Sequence, residues 1–204
     1  MNIESTIQNL FPMPVGMYNF PRPFTQSELE YIRDLEKAKN MGNLKSTDNY
    51  ALKNDVLSEI SNFCDTCANE FFHKIYRPKN DINLRITQSW FNYTEKGEFH
   101  HKHTHPNSFI SGVMYIQTDD TKDRIYFFEN SYKQFKITAT EFNTYNSDSW
   151  WFEAKTGQLL LFPSKTEHMV ETRPDIDYTR ISLSFNAFPV GVLGERDALT
   201  ELVL

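Results

Sequence analysis

Two periodicities divide the chain. In its first 80 residues, apolar positions recur at three- and four-residue steps. The stretch "TQSELEYIRDLEKAKN" puts Leu29, Ile32 and Leu35 on one face and opens with a Thr25–Glu28 capping box, which predicts a helix. A second helix is predicted over "NDVLSEISNFCDTCANEFFHKIY", where Val56, Ile60, Phe63, Cys64, Cys67, Phe71 and Ile75 form the stripe. It must stop before Pro78, which has no N–H for a helix interior. The proline-rich "FPMPVGMYNFPRPF" before the first helix reads as extended, and "NMGNLKSTDNYALKND" between the helices reads as a polar loop. From Ile82 onward the period changes to two. "NLRITQSWFNYTE", "FISGVMYIQ", "RIYFFEN", "YKQFKIT", "SWWFEA", "QLLLFP" and "TRISLSFNAF" are short β-branched and aromatic runs with polar breaks, with room for one or two more strands, including the histidine stretch at 100–105. Many short strands without intervening helices predict a sandwich or jelly roll. The expected fold is α+β, mainly β. One domain spans 1–204, with a mostly helical part at 1–80 packed on a jelly-roll core at 82–190.

Composition narrows the function classes. With 204 residues and 17 Phe, the chain can bury a core without staples. A formal net charge of -6 opposes nonspecific nucleic-acid binding, which needs Lys and Arg to neutralise phosphates. No apolar run approaches the roughly 20 residues that span a bilayer, and "MNIESTIQNLFPMPVG" lacks a basic then apolar leader, so a soluble cytoplasmic protein is expected. Cys64 and Cys67 form a lone Cys-x-x-Cys, which could be half a zinc site or a redox pair. There is no second pair, and both lie on the apolar stripe, so core packing is the expectation. His73, on the same helix, is read the same way.

The chemistry concentrates in "FHHKHTHPNSFISGVMYI", where four of the six histidines fall between 100 and 105. If the stretch is extended, His101, His103 and His105 point to one face and His100 and Lys102 to the other. A His-x-His pair can hold a transition metal, with a third ligand from elsewhere. Only His73 and His168 remain, and His168 follows the strand-like "QLLLFP". The competing reading is a solvated patch with adventitious metal affinity. Further on, Arg180, Ser182, Ser184 and Asn186 share one face of a strand, while Ile181, Leu183, Phe185 and Ala187 share the core face. A forked arginine with a hydroxyl two residues on suits a carboxylate. Alternation alone does not distinguish this from a polar face turned to water.

The order His-x-acid, distant His, then Arg-x-Ser resembles the signature of iron(II)/2-oxoglutarate-dependent oxygenases, which have a double-stranded β-helix fold. In particular, "SWFNYTEKGEFHHKHTHPNSFISGVMYI", "GQLLLFPSKTEHMVE" and "RISLSFNAFP" resemble a 2OG-Fe(II) oxygenase family found largely in phages and marine bacteria. "LFPMPVGMYNF" and "STDNYALKND" extend the resemblance over most of the chain. It implies His103 as first metal ligand, His105 where the acid usually sits, and His168 as the distal ligand. It implies Arg180 on the far carboxylate of 2-oxoglutarate, Ser182 or Ser184 beside it, and Tyr93 and Tyr115 as further hydrogen-bond partners of that cosubstrate. The cofactors implied are Fe(II), 2-oxoglutarate and dioxygen, and the reaction is hydroxylation coupled to decarboxylation of 2-oxoglutarate to succinate.

One departure stands out: histidine at 105 leaves the metal's charge uncompensated until 2-oxoglutarate binds, and a nitrogen-rich set also attracts zinc, nickel and copper. Either His105 is a ligand, or His101 and His103 are the pair with His105 behind them. The substrate, whether peptide, metabolite or nucleobase, is not legible. The loops "NMGNLKSTDNY" and "ENSYKQFKITATEFNTYNSDS" are expected to line its site, with Asn107, Ser108 and Trp150 as contact candidates. A homodimer is compatible with the sequence. Two other readings remain: a cupin-like three-histidine dioxygenase that does not use 2-oxoglutarate, and a noncatalytic jelly-roll module that only holds a metal.

Overall fold

The computed structural model describes residues 3–129, 135 and 137–204. Its strands in chain order are β1 (Gly16–Asn19), β2 (Lys37–Lys39), β3 (Leu44–Ser46), β4 (Ile82–Thr94), β5 (His100–His103), β6 (Ile110–Gln117), β7 (Arg124–Phe128), β8 (Ser149–Glu153), β9 (Gln158–Pro163), β10 (His168–Val170), β11 (Arg180–Leu193) and β12 (Leu202–Val203). Two α-helices, α1 (Gln26–Asp34) and α2 (Ser58–Tyr76), lie in the first half. The major sheet runs β1-β9-β6-β11-β4-β3-β2, with β12 on the end of β11; the minor sheet runs β5-β10-β7-β8. Every strand pairing is antiparallel. This is the mainly β jelly roll that the run of short strands predicts.

The Thr25 hydroxyl accepts from the Glu28 N–H and the Glu28 carboxylate accepts from the Thr25 N–H, so the capping box forms. The helix ends six residues earlier than its pattern suggests, because Leu35 turns extended and the chain enters β2. The predicted loop at 40–54 likewise contains β3, which pairs with β4. The first 80 residues therefore add three strands to the major sheet and are less helical than expected. Helix α2 stops at Arg77, whose positive φ of 44° turns the chain ahead of Pro78. Ile60, Cys64, Cys67 and Phe71 are buried along α2 as predicted, with Ala68 and Phe72 beside them. Val56 and Ile75, at the ends of the stripe, are exposed, and so is His73, whose ring meets Asn83 instead of the core. Both cysteines are free and buried. The strand predicted over "YKQFKIT" falls mainly on residues outside the described set, and its described residues Phe135, Ile137 and Thr138 lie in no strand. No described helix is long and apolar enough to cross a membrane.

Both faces of the major sheet are covered, and this positions the site. Ile181, Leu183 and Phe185 on β11, Phe91 and Tyr93 on β4, and Leu159 and Leu161 on β9 pack with Ile32, Leu57, Ile60 and Phe71 in one core. Gly112 on β6 lies under the Phe185 ring, where an added Cβ would sit 2.2 Å from it. The other face of the same strands turns toward the minor sheet. There Val113, Tyr115, Leu160 and Phe162 meet Ile125 and Phe127 of β7. Arg180, Ser182 and Ser184 alternate with the helix-facing residues, so their side is the interior between the sheets.

Candidate active site

His168 opens β10 opposite His103 on β5, so two histidines meet across a strand pair of the minor sheet. His105 follows β5, its N–H donated to the Ser164 carbonyl, which turns its ring back toward His168. The ring nitrogens of His103, His105 and His168 lie within 4.8 Å of one another. His105 Nε2 and His168 Nε2 are 3.3 Å apart. Two nitrogens each about 2.1 Å from one ion and roughly at right angles around it would be about 3 Å apart, so the spacing fits a shared metal. His103 Nδ1 donates to the His101 carbonyl at 2.7 Å, and His168 Nδ1 donates to the Thr166 carbonyl at 3.0 Å. A carbonyl only accepts, so both protons sit on Nδ1 and each Nε2 keeps a lone pair for a metal. Burial, reinforced by His103, lowers the pKa of His168 to about 3 and of His105 to about 4; burial also lowers that of His103. Neutral imidazoles are the form that binds metal.

Alternation along β5 fails at a bulge. His103 pairs with His168 and His100 with Val170, so three steps on β5 match two on β10. His168 and Val170 share a face, and therefore so do His103 and His100. Their rings stack at 4.7 Å and 9°. The expectation that His100 points away from the site is thus corrected: it lines the interior cleft with His103, His105 and His168. His101 instead turns toward the β2–β3 hairpin, its Nδ1 3.4 Å from the Met41 carbonyl. His100, His101 and His103 also bring their nitrogens within 4.8 Å of one another, so the His101–His103 pairing has a geometric counterpart that does not include His168.

Arg180 begins β11 on the same cleft and is 5% exposed. Its Nη1 makes one long contact, 3.4 Å to the Arg124 carbonyl, and its guanidinium carbon lies 5.4 Å from the centre of the Tyr115 ring. Among the described residues it forms no ion pair with a carboxylate. A buried guanidinium is always charged and needs an anion. The residues around it offer further unspent polarity. Ser182 pairs with Tyr115 across β11–β6, which brings the phenol to the arginine's side. The Tyr115 hydroxyl is fully buried with no hydrogen-bond partner, and burial raises its pKa to about 12. Ser184 Oγ accepts from Asn92 Nδ2 at 2.9 Å, while Asn92 Oδ1 is buried and unpartnered.

Tyr93 is not in the site. Arg180, Ser182 and Ser184 pair with Thr94, Asn92 and Trp90, whereas Tyr93 pairs with Ile181. Parity places it on the helix-facing side, where it is 2% exposed and its hydroxyl donates to the Ile32 carbonyl. Asn92 and Trp90 are the β4 residues that reach the cleft, and the latter's ring lies 5.9 Å from that of His105. The sequence held their signal only through the β4–β11 register, which no local pattern reveals. Ser108 is used internally: it donates to the Ile110 carbonyl and accepts from Ser164. Asn107 is exposed at a turn with a φ of 56°, and Trp150 is 38% exposed on β8 at the edge of the minor sheet. The first predicted specificity loop does touch the histidine strand, since Phe99 N–H donates to the Gly42 carbonyl. The second includes residues 130–134 and 136, outside the described set.

A jelly roll whose histidine triad and buried arginine line one cleft is the arrangement that the resemblance to iron(II)/2-oxoglutarate oxygenases implies. Residues 88–186, which carry every side chain of this site, match the family model described as "Putative 2OG-Fe(II) oxygenase". Solved structures agree in fold. An oxidoreductase of the 2OG-Fe(II) oxygenase family from Burkholderia pseudomallei aligns with a TM-score of 0.56 at 14% identity, over 85% of this chain and 83% of that one. A prolyl-4-hydroxylase from Pseudomonas putida aligns at 0.55 and 12%, over 85% and 92%. HygX from Streptomyces hygroscopicus, solved with nickel, 2-oxoglutarate and hygromycin B bound, aligns at 0.57 and 10%, over 86% and 82%. No curated protein matches in sequence. The family match and the shared fold both point to an oxygenase of the 2OG-Fe(II) class.

Proposed function

We propose that the protein hydroxylates its substrate with His103, His105 and His168 holding iron(II) and Arg180 receiving the far carboxylate of 2-oxoglutarate. The observation that carries this is the buried Arg180 guanidinium, which has no carboxylate partner among the described residues and opens onto the same cleft as the triad. The bound iron and cosubstrate supply oxidation by dioxygen, with 2-oxoglutarate decarboxylated to succinate. The chain's own residues bind and orient. The Thr166 and His101 carbonyls fix two imidazoles with Nε2 toward the metal. Three neutral ligands leave the metal's charge uncompensated, and the 2-oxoglutarate dianion would set one carboxylate against the metal and the other against Arg180, offsetting two of the three positive charges. The Tyr115 hydroxyl and Ser182 stand beside Arg180 as further hydrogen-bonding groups for that carboxylate. Val113, Ile125 and Phe162 on the cleft wall exclude water around the fork and strengthen each contact.

His105 rather than His101 completes this ligand set, since its Nε2 and that of His168 converge at 3.3 Å. We also take the whole chain as one working unit, because α1 and α2 share the core of the major sheet. A cytoplasmic setting fits the two free, buried cysteines. The test is oxygen consumption and succinate release on adding 2-oxoglutarate to the iron(II) protein. Release that depends on 2-oxoglutarate and disappears in Arg180→Ala supports the proposal. Oxygen consumption indifferent to 2-oxoglutarate would favour a cupin-like dioxygenase, and no consumption with any metal a binding module.

A further inference from the structure

His100 is the histidine of the cluster for which neither the ligand set nor the alternation along β5 has a use. The bulge between β5 and β10 nevertheless carries it into the cleft. It stacks on His103 at 4.7 Å and shares the cleft wall with Arg180, Tyr115 and Ser182. Its neighbours His103 and His168 have their Nδ1 protons committed to backbone carbonyls, but His100 makes no hydrogen bond with any described residue. A neutral imidazole always carries one N–H, and His100 is half-buried on the cleft wall, so with no protein acceptor this donor is free to meet a ligand in the cleft. Two other polar groups of this cleft, the Tyr115 hydroxyl and Asn92 Oδ1, are also unpartnered. Unpartnered polarity therefore lines the cleft that the triad and Arg180 share, where the proposed cosubstrate would lie.

We propose that His100 donates its ring N–H to a carboxylate oxygen of 2-oxoglutarate, as a cosubstrate-binding residue additional to Arg180. This rests on the reading of the cleft as the 2-oxoglutarate site. It assigns His100 a contact separate from metal ligation and gives the bulge a purpose, since without the extra residue the ring would point to the far face of β5.

The experiment titrates 2-oxoglutarate calorimetrically into the manganese(II)-loaded full chain, with manganese(II) affinity measured separately. His100→Phe keeps a flat ring over His103 but has no N–H. His100→Gln keeps an N–H but not the ring. Arg180→Ala reports on the cleft itself. His100→Phe is expected to weaken 2-oxoglutarate roughly tenfold to a hundredfold, the range for a hydrogen bond to a charged group, with manganese(II) affinity within about twofold of wild type. His100→Gln is expected to weaken it less, and it serves alone if the phenylalanine variant does not fold. Unchanged 2-oxoglutarate affinity in both His100 variants, with Arg180→Ala impaired, overturns this inference and leaves the proposed function standing. Unchanged affinity in all three overturns both. Loss of manganese(II) together with 2-oxoglutarate, or a greater loss in His100→Gln than in His100→Phe, would make His100 only a support for His103 and also overturns the inference.

Discussion

Replacing Arg180 with methionine should make the empty protein more stable and the loaded protein less so. The side chain is 5% exposed, and its compensation is slight: one contact of 3.4 Å to the Arg124 carbonyl and a Tyr115 ring 5.4 Å away. Each of these contributes about 1 kcal/mol or less. Burying an ion without a counter-charge costs several kcal/mol even after relaxation. Methionine has similar length, no charge, and a flexible thioether that fills the space. Metal-free Arg180→Met is therefore expected to gain about 1–3 kcal/mol over wild type. The cosubstrate pulls the other way. A ligand at 100 times its Kd stabilises the native state by about 2.7 kcal/mol. Losing the arginine fork should weaken 2-oxoglutarate by roughly one to three powers of ten, which removes from about half to nearly all of that gain. Urea unfolding with chelator, and again with manganese(II) and 2-oxoglutarate, gives both numbers. A variant that loses stability when empty yet gains as much as wild type from 2-oxoglutarate would refute the argument, because Arg180 would then be a satisfied structural residue.

Three further expectations can be checked. His168→Ala and His103→Ala should each abolish tight manganese(II) binding by calorimetry, whereas His101→Ala should change it little; a reversal between His103 and His101 would point to a ligand set built on His101. Tyr115→Phe should weaken 2-oxoglutarate several-fold, whereas Tyr93→Phe should leave its affinity unchanged and cost about 1 kcal/mol of stability through the lost bond to the Ile32 carbonyl. The metal-free protein should lose stability as pH falls below about 6.5, the ordinary histidine value. His100, His105 and His168 are held down to about 2, 4 and 3 by burial, so between those values and about 6.5 the unfolded chain binds protons that the native state does not. Each such group can withdraw up to about 1.4 kcal/mol per pH unit, and urea midpoints at pH 7.0 and 5.5 that coincide would contradict their burial as neutral rings.

The parts of this fold set by local chemistry were legible in the sequence. The Thr25–Glu28 box, the stripe of α2 and the alternation of β11 each depend on neighbours within a few residues, and each formed. What was lost depended on pairing between distant segments. Nothing local in "NLKS" says that it will find β4, so β3 reads as loop. Tyr93 and Asn92 are equally polar neighbours on one strand, and only the register against β11 decides that Asn92 faces the cleft. Alternation misplaces His100 for a related reason: it assumes an unbroken ladder, and one bulge reverses it. Arg180 itself was legible as a candidate, but its burial was not, because a polar stripe looks the same whether it faces water or a second sheet.

The central claim is that one cleft joins the histidine triad to an arginine that awaits a dicarboxylate. Its most direct test is an anaerobic titration of 2-oxoglutarate into the iron(II) protein, following the weak visible charge-transfer absorption of an iron(II)–2-oxoglutarate chelate. The account predicts a band that saturates at one equivalent per chain, is absent in His168→Ala, and requires far more 2-oxoglutarate in Arg180→Met. Iron that binds without any such band at saturating 2-oxoglutarate, or a band whose titration is the same in Arg180→Met, would contradict it.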